Sequence, residues 1–62
     1  MPFVQIDLLE GRDADRIASL MHDVTEAVAS SLDVQADRVR VVVRDVPRTH
    51  WAVAGVSRAE RG

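Results

Sequence analysis

The chain has 62 residues, 47% of them hydrophobic and 29% charged, with a net charge of -2 and no cysteine. At this size folding leaves about 4,000 Å² of some 9,900 Å² accessible and hides only about 60% of the unfolded surface, a coverage that calls for a disulfide, a metal or a partner subunit. The absence of Cys excludes disulfides and thiolate zinc sites, and a charge of -2 supplies no long-range attraction to nucleic-acid phosphates, so self-association is the expectation.

Phe3 to Leu9 alternates, with Val4, Ile6 and Leu8 on one face, which predicts a strand. Glu10-Gly11-Arg12-Asp13 breaks it, Gly11 permitting a tight turn and Asp13 capping the helix that follows. Ile17, Leu20, Met21, Val24, Ala27 and Val28 form an apolar stripe that continues to about Leu32, with Asp15, Arg16, His22, Asp23 and Glu26 mainly on its solvent side or flanks. Asp33 to Asp37 is a short connection, and Val39 to Arg44 is a second strand with Val39, Val41 and Val43 on one face. A helix of about 18 residues is long enough for a crossover, so the two strands are expected parallel in a βαβ unit. One helix covers one side of such a sheet, which leaves its other side and both edges for another copy. Beyond Pro47 a small hairpin or arm precedes a polar tail, Ser57 to Gly62, and residues 1–62 form one domain. There is neither a basic-then-apolar leader nor an apolar run of roughly 18 residues, so a cytoplasmic protein with no membrane partner is expected.

Four residues stand out chemically. Removal of Met1 would make Pro2 a free secondary amine able to act as a base near pH 7; the other reading is a proline tolerated at a strand start. Arg12 in its turn can grip a carboxylate through a forked pair of hydrogen bonds, or be a surface charge. Arg40 falls on the strand face opposite the valines, either lining a subunit groove or serving as a solvated or ion-paired residue, with Arg44 as a competing ligand on the same face. Trp51 offers an apolar wall with an indole donor, or a seal for an interface. His22 and His50 make no metal-ligand motif, and no dinucleotide loop, phosphate loop or serine-nucleophile pattern is present. A strand-helix DNA-binding dimer would need a second helix where Val39 to Arg44 reads as a strand.

Pro2-Phe3-Val4-Gln5-Ile6, Leu9-Glu10-Gly11-Arg12, Ser30-Ser31-Leu32-Asp33, Val39-Arg40-Val41 and His50-Trp51, in that order and spacing, resemble the short 4-oxalocrotonate tautomerase family. The resemblance implies an α/β, βαβ protomer with a short C-terminal hairpin, its sheets paired between subunits of a homohexamer built as a trimer of dimers. It implies cofactor-independent keto-enol tautomerisation of a small unsaturated oxo diacid such as 2-hydroxymuconate, in aromatic-compound catabolism. Pro2 matches the family's base, Arg12 its ligand for the distal carboxylate, and Arg40 its ligand, from a neighbouring subunit, for the other carboxylate and adjacent oxygen. Trp51 stands where the best-known short members have phenylalanine, and Ala52 and Ala54 where glycine is common, so an altered hairpin or pocket mouth is expected because Ala disfavours positive φ. The family also implies two alternatives, an aryl-pyruvate tautomerase and a dehalogenase; the acidic residue that the dehalogenase needs has no match here. A noncatalytic small-acid-binding oligomer is the alternative of another class.

Overall fold

Alternating β-branched and polar residues produce the first strand, β1 (Phe3–Leu9), and the valine-rich second, β2 (Arg40–Val46), with helix α1 (Ala14–Leu32) between them. The structure, a computed structural model, describes residues 1–61. A one-turn 3₁₀ segment, Ala36–Arg38, leads into β2, and a second, Arg48–His50, leaves it. The chain ends in a hairpin of β3 (Ala52–Val53) and β4 (Val56–Ser57) and a single helical turn, α2 (Arg58–Arg61).

Asp13 caps α1 as expected: its backbone is extended and its carboxylate accepts the Arg16 N–H at 2.8 Å. At the other end Asp33 adopts the left-handed conformation, φ 55° and ψ 50°, and its N–H donates to the Ala29 carbonyl. The crossover makes β1 and β2 parallel, in register from Phe3 against Arg40 to Leu9 against Val46. Two further backbone hydrogen bonds extend the pairing past both ends, Arg40 N–H to Pro2 O at 3.0 Å and Glu10 N–H to Val46 O at 3.0 Å.

The register puts Val4 beside Val41 and Ile6 beside Val43, so the expected core face is continuous across both strands. Against it lie the half-buried Ile17, Leu20, Met21, Val24 and Val28 of α1. Ala27, assigned to this stripe from its spacing, is exposed, whereas Thr25 and Ala29 are half-buried. At about 100° per residue Ala27 and Thr25 sit on opposite flanks of the stripe, and the Thr25 side is the one covered. Thr25 tolerates this because its hydroxyl donates to the Met21 carbonyl at 2.7 Å. Val39, just before β2, is the one buried hydrophobic side chain among the described residues, at 8% exposure.

The opposite face of the sheet carries Phe3, Gln5 and Asp7 beside Arg40, Val42 and Arg44. Phe3 is 63% exposed and Val42 37%. The accessible surface is 4714 Å², against about 4,000 Å² for a compact chain of this mass. The Cα radius of gyration is 14.6 Å, against about 11 Å for a compact domain of this length. The excess comes from the open sheet face and the arm, where Val53 is 57% exposed.

The hairpin forms despite Ala54. Ala52 pairs with Ser57 and Val53 with Val56, and the two turn residues, Ala54 at φ 54° and Gly55 at φ 81°, both have positive φ, as a type I′ two-residue hairpin loop requires. The backbone path is therefore kept and the substitution appears as torsional strain at Ala54. The polar tail is also more ordered than its composition suggested. Ser57 Oγ accepts the Glu60 N–H at 3.3 Å and donates to Glu60 Oε1 at 3.1 Å, closing a capping pair that starts α2; Gly62 lies outside the described residues. Among the described residues no helix is long and apolar enough to cross a membrane.

Candidate active site

Pro2 sits one residue before β1, half-buried, with its carbonyl held by the Arg40 N–H. Pro2 continues the alternation of Val4, Ile6 and Leu8, whereas Arg40 is registered with Phe3 on the open face. Backbone contact thus brings these two residues together while the alternation sends their side chains to different faces. The Arg40 guanidinium folds back on the preceding turn, donating from Nη1 to Asp37 O at 2.8 Å and more weakly to Val39 O at 3.5 Å.

Arg12 lies at the other end of the sheet. Gly11, at φ 126°, turns the chain after β1 in a conformation an L side chain resists, and Arg12 Nη1 then donates to the Leu9 carbonyl at 3.1 Å. Seven strand residues at about 3.3 Å each put Pro2 and Arg12 more than about 20 Å apart in one chain. Beside Arg12 is a groove of about 270 Å³ lined by Leu8, Arg12, Arg16, Ile17 and Leu20.

Trp51 belongs to the Arg12 end. The 3₁₀ turn before it follows Val46, which pairs with Leu9, and the Arg48 N–H donates to Glu10 Oε2 at 3.1 Å across 38 positions of sequence. Trp51 itself is extended and half-buried, and its carbonyl accepts the Arg58 N–H at 2.7 Å, which ties its backbone to the start of α2. The four residues singled out in the sequence therefore divide into two groups, Pro2 with Arg40 at one end of β1 and Arg12 with the Trp51 segment at the other. Arg44 stays exposed on the open face, opposite Asp7.

Two further residues lie at the Arg12 end of the sheet. Arg16 is exposed, as its place on the solvent side or flank of α1 implied, and it also borders the groove beside Arg12, four residues before it. Glu10, in the segment that ends β1, ties the Trp51 segment to that strand end, and nothing in the local pattern announces a partner 38 residues away. Among the described residues, His22 and His50 join no cluster of three or more His, Cys, Asp or Glu side chains.

Residues 2–61 match the family model described as tautomerase enzyme. The chain belongs to this tautomerase family. Over all 62 residues it is 40% identical to the 2-hydroxymuconate tautomerase of Comamonas testosteroni, covering 98% of that protein. It is 38% identical over 55 residues to the 2-hydroxymuconate tautomerase of Pseudomonas putida, covering 89% of this chain and 87% of that one. Among solved structures it resembles a heterohexamer 4-oxalocrotonate tautomerase from Chloroflexus aurantiacus, with a TM-score of 0.92, 40% identity and 97% of each chain covered. A 4-oxalocrotonate tautomerase homologue of the tomaymycin biosynthetic pathway superposes with a TM-score of 0.93 at 38% identity, covering 97% of this chain and 92% of that one. As a tautomerase of the short 4-oxalocrotonate and 2-hydroxymuconate group, the chain is an isomerase, and the βαβ unit with its terminal hairpin is that group's fold.

Proposed function

We propose that the protein isomerises a small unsaturated oxo diacid such as 2-hydroxymuconate, with Pro2 as general base after removal of Met1, in a site shared between copies of the chain. The observation that carries this reading is the division of the candidate residues between the two ends of β1. A six-carbon diacid spans roughly 7 Å, far less than the separation of Pro2 and Arg12 along the seven residues of one β1 strand. Each strand of the two-stranded sheet keeps one free edge. If β1 of two copies run antiparallel about a two-fold axis, Pro2 of one copy approaches Arg12 and Trp51 of the other. The exposed Phe3 and Val42 supply apolar surface for further packing, in keeping with a hexamer built as a trimer of dimers.

In that site Arg12 holds the distal carboxylate through a forked pair of hydrogen bonds, and Arg40 of a neighbouring copy holds the other carboxylate and the adjacent oxygen. The neutral Pro2 nitrogen takes the proton of the enol hydroxyl, electrons shift along the conjugated chain, and the protonated amine returns the proton to its far carbon. No atoms are gained or lost. Negative charge gathers on the substrate oxygen between the two proton transfers, where a guanidinium stabilises it most when water is excluded. The Trp51 wall provides that exclusion and, with the nearby cations, disfavours the charged form of the amine.

Met1 is 82% exposed, so the residue to be removed is accessible. Intact-mass measurement establishes whether the amine of Pro2 is free, and the same sample is then assayed on 2-hydroxymuconate without added cofactor. The processed chain turns the substrate over, the Met1-bearing chain does not, and Pro2→Ala lowers kcat by about 10²-fold. Equal activity of all three eliminates Pro2 as the base.

A further inference from the structure

We infer that Arg16 is a specificity-determining residue, forming with Arg12 a two-guanidinium cradle that selects substrates with a second carboxylate at the distal end. The inference rests on the reading of Arg12 as the distal-carboxylate ligand and extends it to a residue that this reading does not use. The groove beside Arg12 is lined by five side chains, three apolar (Leu8, Ile17, Leu20) and two cationic (Arg12, Arg16), and none is acidic. Its volume, about 270 Å³, suits the tail of a small acid and is too small for a nucleotide-sized ligand.

The placement of Arg16 is costly for the helix alone. It lies in the first turn of α1, whose positive dipole end favours anions and disfavours cations. Asp13, the nearest acid by hydrogen bonding, uses one carboxylate oxygen on the backbone N–H of Arg16. Asp15, the other acid of that turn, does not line the groove. Arg12 commits Nη1 to the Leu9 carbonyl, and a guanidinium carries four further N–H donors. Arg16 sits four residues before Leu20, so its aliphatic stem can run along the apolar wall while the head stays at the rim. Two forked cations over an apolar floor, beside a helix N-terminus, form a site for one carboxylate carried on a short hydrocarbon chain.

A diacid places its distal carboxylate between Arg12 and Arg16. An aryl enolpyruvate has no such carboxylate, and its ring rests on Leu8, Ile17 and Leu20 instead. Steady-state kinetics of the processed, assembled protein on 2-hydroxymuconate and on phenylenolpyruvate separate the two ends. Arg16→Gln is expected to raise KM for the diacid about 5- to 10-fold while kcat changes less than about two-fold, the signature of lost uniform binding. KM for phenylenolpyruvate should move less than about two-fold, and Arg16→Lys, which keeps the charge and loses the fork, should restore part of the diacid affinity. The salt dependence of KM for the diacid should also weaken in Arg16→Gln. An unchanged diacid KM, or an equal rise for both acids, overturns the inference.

Binding without turnover gives an independent arm. The unreactive diacid cis,cis-muconate should shift the guanidinium NMR signals of both Arg12 and Arg16 in the wild-type protein. If the wild type turns over neither acid, the proposed activity fails while this titration still decides the cradle. A shift at Arg12 alone, or at neither residue, refutes it.

Discussion

The turn between β3 and β4 offers a quantitative test of how the hairpin that anchors Trp51 is held. Ala54 adopts φ 54° and Gly55 φ 81°. The left-handed conformation costs an L residue about 1–2 kcal/mol, and glycine avoids that cost. Glycine in turn gives the unfolded chain extra freedom, opposing by about 0.4–1 kcal/mol. Ala54→Gly should therefore stabilise the protein by about 0.5–1 kcal/mol net. Gly55→Ala should do the reverse by a similar amount, because an added Cβ meets nothing within 4 Å and the penalty is torsional alone. In a domain this small each kcal/mol moves Tm by roughly 4–8 °C. Urea and thermal unfolding must be compared at matched protomer concentration, since association contributes to the apparent stability. A lower midpoint for Ala54→Gly, or an unchanged one for Gly55→Ala, would refute the assignment of strain to this turn.

Two further outcomes follow from named contacts. Glu10→Ala removes the acceptor for the Arg48 N–H and should cost about 0.5–1.5 kcal/mol; because Trp51 is the only tryptophan, its emission should shift to the red as the segment loosens, and unchanged emission would separate Glu10 from Trp51. Val42→Lys places a charge on the open sheet face, and sedimentation velocity should show smaller species with reduced turnover, whereas an intact, fully active assembly would exclude that face from the interface.

The sequence made the central unit readable because each of its elements carries a strong local signal. Val4, Ile6 and Leu8 alternate, Asp13 announces a capped helix, and the valines of β2 favour a strand wherever they are placed. Ala27 was misplaced because a stripe six residues wide does not say which flank the sheet covers, and that depends on how β1 and β2 sit against α1. The order in the tail arises from the Ser57–Glu60 capping pair, a signal short enough to be masked by the surrounding polar composition. Pro2, Arg12, Arg40 and Trp51 were singled out from their residue types and positions, and the resemblance supplied the roles proposed for them. Their division between opposite ends of β1 required the parallel register and the crossing of Glu10 to Arg48, both of which join distant parts of the chain. Arg16 is exposed, as its place on the helix implied, and the groove it borders becomes visible only once Leu8 and α1 are packed together.

The central claim is that one active site draws Pro2 and Arg12 from different chains. Complementation tests it directly. Pro2→Ala and Arg12→Ala proteins, each of low activity, are mixed, dissociated and reassembled. Random pairing at a two-fold interface gives about one quarter of sites with both residues intact, so turnover should recover to about a quarter of wild type. Activity no greater than the mean of the two parents, in assemblies shown by mass to contain both chains, would contradict a shared site.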